Sequence, residues 1–344
     1  MSTGTAACHG VPDWKAALSA YGSPLPWRSE GQLAGNLLAY AALWVGMGYF
    51  AERAYFVSLL LAIPAAGFAL RIFSMQHDCG HGAFFLSRRA NDWVGRLLSP
   101  ITLTPYSFWR SGHEVHHATV GHLDRRGVGD IALRTVAEYR ARPRSKRWRY
   151  RAYRHPLVLF GIGPIFQYCI RLRLPYNLPA PRRRLRNSVL LTDLTLLGIG
   201  LVIELTLGFA NFLWLFVPMI AVATTAGVWI FYVHHEFETT YWARAPEWNH
   251  STAAIAGSCH YALPGWLRWF SGNTGIHHVH HACSRIPNYR LPECLEEHPE
   301  LAAVNRITLR ESFACAWLSL WDEATRRLIS FRRERETRPA GVGS

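Results

Sequence analysis

Lysine is almost missing from this chain: Lys15 and Lys146 are the only two, so nearly all of its positive charge is arginine. Charge of either sign is scarce as well. Charged residues make up 17% of the sequence, against roughly 25% in soluble domains, and they are bunched between apolar stretches. A length of 344 residues allows one large or two ordinary soluble domains, but this patterning speaks against a soluble protein. None of the seven cysteines (Cys8, Cys79, Cys169, Cys259, Cys283, Cys294 and Cys315) has C-x-x-C spacing, and their number is odd. A disulfide framework and a thiolate zinc site are both disfavoured; reduced thiols in or near the cytosol are expected. Residues 1–32 lack a basic start, an apolar core and a small-residue cleavage site, so no signal peptide is expected. Internal repeats and low-complexity tracts are also missing, which speaks against a repeat architecture.

What the chain has instead is long apolar runs. Leu33 to Ala51 is apolar apart from Asn36, and is long enough to cross a bilayer core of about 30 Å as a helix. After the short connection at Glu52–Arg53 comes a second span, Tyr55 to Phe73, whose Pro64 a membrane helix tolerates. Ser188 to Leu207 and Phe209 to Val233 make a second hairpin that turns near Gly208. Between the hairpins, Gln76 to Leu185 carries Arg88–Arg89, Arg125–Arg126, the run Arg140 to Arg154 and Arg182 to Arg184. Positive loops face the cytoplasm, so this stretch and both termini are expected there. Within it, Trp93–Trp109 and Leu157–Ile170 are apolar but interrupted, and read as interfacial or re-entrant helices. Asp193 and Glu204 lie inside the third span near its ends. Ionisable residues in a membrane helix are functional candidates, but at span ends a structural or interfacial role is expected, with Arg186 close to Asp193.

The net charge of +14 fits either nucleic acid or anionic lipid headgroups. The basic segments flank the apolar runs, which favours lipid. The Arg140–Arg154 run, with Trp148, Tyr150 and Tyr153 interleaved, equally reads as a membrane-facing loop, and no nucleic-acid partner is expected.

The 17 histidines are informative through their placement. His77 and His81 form H-x3-H. His113, His116 and His117 form H-x2-H-H, as do His277, His280 and His281, while His234–His235 closes the fourth span. Residues three or four apart share a helical face, whereas adjacent ones diverge by about 100° and can address different metal ions. Imidazole suits iron, copper, zinc and nickel alike. Zinc takes about four ligands, so eight or nine imidazoles at one membrane face point to two metals. His9, His122, His155, His250, His260 and His298 lack such spacing and read as structural or exposed. A carboxylate-rich di-iron bundle would use E-x-x-H strings. Glu114–His117 lies inside a histidine box and Glu247–His250 follows Pro246 in an expected loop, so that reading is set aside. A metal transporter would hold its ligands near the bilayer midplane, whereas these lie outside the apolar runs.

At these residues the sequence resembles the membrane fatty acid desaturase family, in particular bacterial acyl-lipid or acyl-CoA desaturases of the delta-12 (omega-6) kind. The matching segments are residues 77–85 (HDCGHGAFF), Trp109–Arg110 ahead of His113–His117, Phe231–Glu238, and Gly275–His281 followed by Ser284–Tyr289. The resemblance covers about residues 33–312 and implies an all-α integral membrane protein. Four transmembrane helices would carry a cytoplasmic helical cap holding a histidine-ligated di-iron centre, with a cytoplasmic N-terminal segment over 1–32 and a basic cytoplasmic tail over 313–344. The implied ligands of two Fe ions are His77, His81, His113, His116, His117, His235, His277, His280 and His281; His278 stands at a variable position of its box. Phe231 stands where related acyl-CoA desaturases place an Asn that reaches an iron through water. The implied chemistry is O2-dependent insertion of a cis double bond into an acyl lipid or acyl thioester. An external electron donor, a ferredoxin or a cytochrome b5-like protein, would reduce the irons at the bilayer surface. Hydroxylases, acetylenases and carotenoid oxygenases share such boxes and are the alternatives within the same chemistry.

Overall fold

The computed structural model describes residues 14–175 and 182–337. Cys8, His9, the outer parts of both terminal segments and residues 176–181 of the central loop lie outside the described residues.

The first long helix, α1 (Pro26–Phe50), begins earlier than the apolar run, with Pro26 in its first turn, where the missing N–H costs nothing. The added turns reach into the cap. Ser29 Oγ donates to Phe84 O at 2.6 Å, and Gln32 Nε2 donates to Asn288 Oδ1 at 2.9 Å. After a short turn, α2 (Tyr55–His81) runs back and continues past Phe73 straight into the first histidine box. Nothing in 74–81 breaks a helix; the stop is Gly82, whose φ of +67° suits a left-handed cap that closes its N–H onto the last turn.

Beyond it lie α3 (Arg88–Leu97), capped by the Ser87 hydroxyl, and α4 (Tyr106–Thr119), which carries the second box. Gln76 fixes these against α2: its Nε2 donates to Gly95 O at 2.9 Å and Thr104 O at 3.1 Å, while its Oε1 accepts from Thr102 Oγ1 at 2.7 Å. Strand β1 (Arg134–Thr135) and the basic helix α5 (Arg144–Arg154) follow. The apolar segment 157–170 is wound largely as π-helical turns, with Gly161, Gly163 and Pro164 in its middle. Leu157, Ile162 and Phe166 are 74%, 71% and 54% exposed there, an apolar row suited to a membrane interface.

The second hairpin is α6 (Arg183–Thr206) and α7 (Phe209–His235), joined at Gly208. Asp193 pairs with Arg173 at 3.1 Å, where proximity to Arg186 was expected, and Glu204 accepts from Phe209 N at 2.6 Å, capping α7. The spans pack through small residues, with Ala62, Ala65, Ala66 and Ala69 of α2 against Met47, Leu215, Met219 and Ala223; small side chains let membrane helices approach closely. Among the described residues, four helices are long and apolar enough to cross a membrane. α6 buries only Val189 and Thr192, leaving its leucines facing outward, as a lipid-contacting span requires.

The cap is mostly helical, with short strands as ties. β2 (His260–Ala262) leads into α8 (His277–Ala282), the helix of the third box, and β3 (Arg306–Thr308) pairs in parallel with β2. α8 packs Ile276, Val279 and Cys283 on Leu18, Tyr21, Ile286, Leu291 and Leu301. Residues 313–337, expected as the start of a basic tail, contain β4 (Leu318–Asp322) and β5 (Arg327–Ser330). β4 runs parallel to β1 and antiparallel to β5, burying Leu320, Trp321, Leu328 and Ile329. This sheet also closes over an internal ion pair. Arg154 Nη2 lies 2.8 Å from Glu236 Oε2 and donates to Leu318 O at 2.7 Å, with both side chains almost wholly buried.

Candidate metal centre

Four helices converge at one end of the spans and bring nine histidines together in two groups. The first group is His77, His81, His113, His117 and His280; the second is His116, His235, His277 and His281. These are the nine positions singled out in the sequence, and both groups consist of imidazoles alone. The helical spacing explains the division. Each i, i+4 pair (His77 and His81, His113 and His117, His277 and His281) stays within one group, while the i+3 members His116 and His280 cross to the other. Boxes two and three are thus laid across both groups in opposite senses, and α7 adds His235 to the second.

The facing atoms are the Nε2 nitrogens. His113 Nε2 lies 2.9 Å from that of His77, 3.0 Å from that of His81 and 3.1 Å from that of His117. An imidazole nitrogen offers either one N–H or one lone pair, so a single hydrogen bond satisfies only one of the three contacts. In the second group, His235 Nε2 is 3.2 Å from His116 Nε2 and 3.0 Å from His277 Nε2, with His281 a further 3.1 Å from His277. Nitrogens about 2.1 Å from an ion lie about 3.0 Å apart at right angles and about 3.4 Å apart in a tetrahedron. Either spacing lets neighbouring rings share one ion, and each group could hold one metal.

Burial and mutual repulsion favour the neutral form in five of these rings. His113, His117, His277, His280 and His281 are all pushed well below the ordinary imidazole range, by burial first and by neighbouring histidines second. Neutral imidazoles have lone pairs to give a metal. The groups differ in depth: His81, His113 and His117 keep an edge partly exposed, whereas all four rings of the second group are buried.

The nitrogens behind the ligands have partners that spacing alone did not reveal. His116 Nδ1 donates to Asp130 Oδ1 at 2.5 Å, and His235 Nδ1 donates to Gly257 O at 2.9 Å. Asp78, inside the first box, accepts from the backbone N and Nδ2 of Asn288 at 2.7 and 2.8 Å, which ties the box to the 284–289 segment. Trp109 stacks on His113 with centroids 4.7 Å apart. Phe231 packs against His116 and His235, at 5.3 and 5.5 Å, and presents an apolar ring to the second group.

The other candidates fall outside the groups. His278 is buried with its Nε2 donating to Leu301 O at 2.9 Å, and burial pushes its pKa down to about 4. His234 stacks on His277 at 3.9 Å. His122 packs at a tilt against Trp248, His155 and His250 are exposed, His260 Nδ1 donates to Ala302 O, and His298 packs by Trp14. Glu114 and Glu247 of the E-x-x-H strings are spent on Arg110 and Arg326 at the surface.

The comparisons with known proteins agree with one another. A family described as fatty acid desaturase matches residues 53–313. A fatty acid desaturase of Bacillus subtilis is 38% identical over 315 residues, covering 92% of this chain and 89% of that protein. Two Synechocystis proteins are each 27% identical. One, an sn-1 acyl-lipid omega-3 desaturase (ferredoxin), aligns over 75% of this chain and 74% of its own length; the other, an sn-1 oleoyl-lipid 12-desaturase, over 64% and 62%.

Proposed function

The chain belongs to the fatty acid desaturase family, and from that premise we propose that it inserts a cis double bond at the delta-12 position of an oleoyl chain, using two irons held by the nine histidines. It is an integral-membrane oxidoreductase acting on fatty acyl chains. The observation that carries the reading is the pair of all-imidazole groups, with Nε2 atoms turned toward two centres about 3 Å apart from ligand to ligand. The 12-desaturase of Synechocystis supports the position, and the match at Ser284–Tyr289 supports a fit beyond the ligands.

His77, His81, His113, His117 and His280 would hold one iron, and His116, His235, His277 and His281 the other. Such a pair supplies, when bound, the reductive activation of O2 that makes an unactivated methylene reactive. Overall, two hydrogens leave the acyl chain with two electrons and two protons from outside, O2 becomes two waters, and a double bond remains. The protein's part is placement and exclusion of water. Trp109 holds His113 of the second box, the Asp78–Asn288 contacts hold the first box, and the buried second group with Phe231 beside it keeps solvent from that side. Electrons come from a ferredoxin, the donor class named for the omega-3 desaturase of Synechocystis; the excess of arginine would attract an acidic carrier. The cap and both termini face the cytoplasm of a bacterial inner membrane in this reading, which the arginine-rich 76–185 stretch supports.

Expression in a host supplied with oleate should yield linoleate, identified by gas chromatography with double-bond location. His116→Ala, which removes one imidazole and leaves the helix able to form, should abolish it. A hydroxylated acyl chain as the main product would overturn desaturation. An unchanged lipid profile with a competent donor would overturn the oleoyl substrate.

A further inference from the structure

We propose that Asp130 is a positioning residue for the second histidine group, and that it makes the two metal positions chemically unequal. The proposal rests on reading the groups as a two-metal centre. Asp130 Oδ1 sits 2.5 Å from His116 Nδ1, and the side chains are 10% and 2% exposed. A bond to a carboxylate in such a place is short and about twice as strong as a neutral one. Its second oxygen accepts from Gly127 N at 3.2 Å, so the carboxylate is fixed at both ends.

The loop carrying Asp130 comes this close only because of its glycines. Gly129 has a φ of +77°, and a Cβ there would stand 2.6 Å from Gly112 O and 3.0 Å from His116 Cβ. Any side chain would lift the loop off α4, and Asp130 with it.

No other histidine of the two groups is supported in this way among the described residues. His235 Nδ1 has a neutral carbonyl behind it. His77 Nδ1 is 3.5 Å from Asp78, whose other oxygen is occupied by Asn288. His281 Nδ1 has no partner. The short carboxylate contact falls on the group with four histidines and not on the one with five.

Two effects follow from the chemistry of imidazole. The proton is held on Nδ1, leaving the Nε2 lone pair for the metal, and the adjacent negative charge raises electron density at Nε2. Asp130 thereby offsets the missing fifth donor and puts a short charged hydrogen bond behind one ligand of the second group, whereas Asp78 stands 3.5 Å from His77 Nδ1 in the first.

The test uses full-length protein in detergent, made metal-free and titrated with ferrous iron under anaerobic conditions. Bound iron is counted by elemental analysis, and the sites are resolved by Mössbauer spectroscopy. Wild type should take up two irons with distinct signals. Asp130→Asn, which removes the charge and keeps the shape, should hold one iron as before and bind the other tenfold to a hundredfold more weakly, with only one signal altered. Gly129→Ala should shift in the same direction, and Asp130→Glu should recover part of the loss. Wild-type affinity and spectrum in Asp130→Asn would overturn the proposal. So would equal loss of both irons, which marks a merely structural role. A wild type that never binds two irons would instead overturn the two-metal reading, and the proposal with it.

Discussion

The buried pair Arg154–Glu236 offers a sharp test of how the cap is held to the spans. Glu236 follows His235 directly, and Arg154 spans from it to Leu318 O of β4 and to the Tyr232 hydroxyl at 3.0 Å. The two side chains are 0% and 4% exposed, so solvent does not soften the loss of either partner. Glu236→Gln strands a buried guanidinium and Arg154→Met strands a buried carboxylate; each should cost about 3–5 kcal/mol. At about 2 °C per kcal/mol for a long chain, either single variant should unfold about 6–10 °C lower than wild type. The double variant Arg154→Met/Glu236→Leu leaves no stranded charge. It loses the Leu318, Tyr232 and Ala132 hydrogen bonds, at about 1 kcal/mol each, and should sit about 4–6 °C below wild type. The assay is tryptophan-fluorescence melting of the metal-free protein in detergent. A double variant as unstable as the two singles summed would refute the reasoning, because it would show that the contacts of each residue, and not the unpaired charge, set the cost.

Two further outcomes are expected. Single cysteines at Glu52 and Asn211, introduced into a background without accessible thiols, should be labelled from the side opposite to a cysteine at Arg144; labelling of all three from one side would remove the four-span arrangement. Gly95→Ala would bring a Cβ within 2.3 Å of the Tyr106 ring, whose hydroxyl donates to Cys79 O at 2.8 Å. Overpacking there should cost about 1–3 kcal/mol and lower both the melting midpoint and the product yield, since it pushes the first box from the second; unaltered melting and yield would contradict this.

The spans were legible because lipid-facing helices must be apolar along their length, and the four runs from Leu33, Tyr55, Ser188 and Phe209 each lie within a long helix. Their ends were not, because helix and apolar run have different causes. α2 continues through polar Gln76, His77 and Asp78 until Gly82 stops it, and α6 starts at arginines that no hydropathy reading includes. The histidine positions were legible because i, i+3 and i+4 spacing is local. Asp130 was not: it stands 14 residues from His116 on a glycine loop, and only the fold of that loop returns it to α4. β4 and β5 escaped for a similar reason. Their short apolar stretches lie among Arg326, Arg327 and Arg332, and one of the two partners of Leu318–Asp322 is Arg134–Thr135, far back along the chain.

The crossing of the boxes between the two groups also sets an order of events during synthesis. A chain emerges from its N-terminus at about 5–20 residues per second, and all four spans precede α8. Until His277–Ala282 has left the ribosome, the first group lacks His280 and the second lacks both His277 and His281. Neither centre is complete at any earlier stage. The hairpins are therefore made before either histidine group is complete. Segment 318–330 follows every ligand in the sequence and lays β4 against Arg154, so it acts as a clasp on a site it does not itself touch.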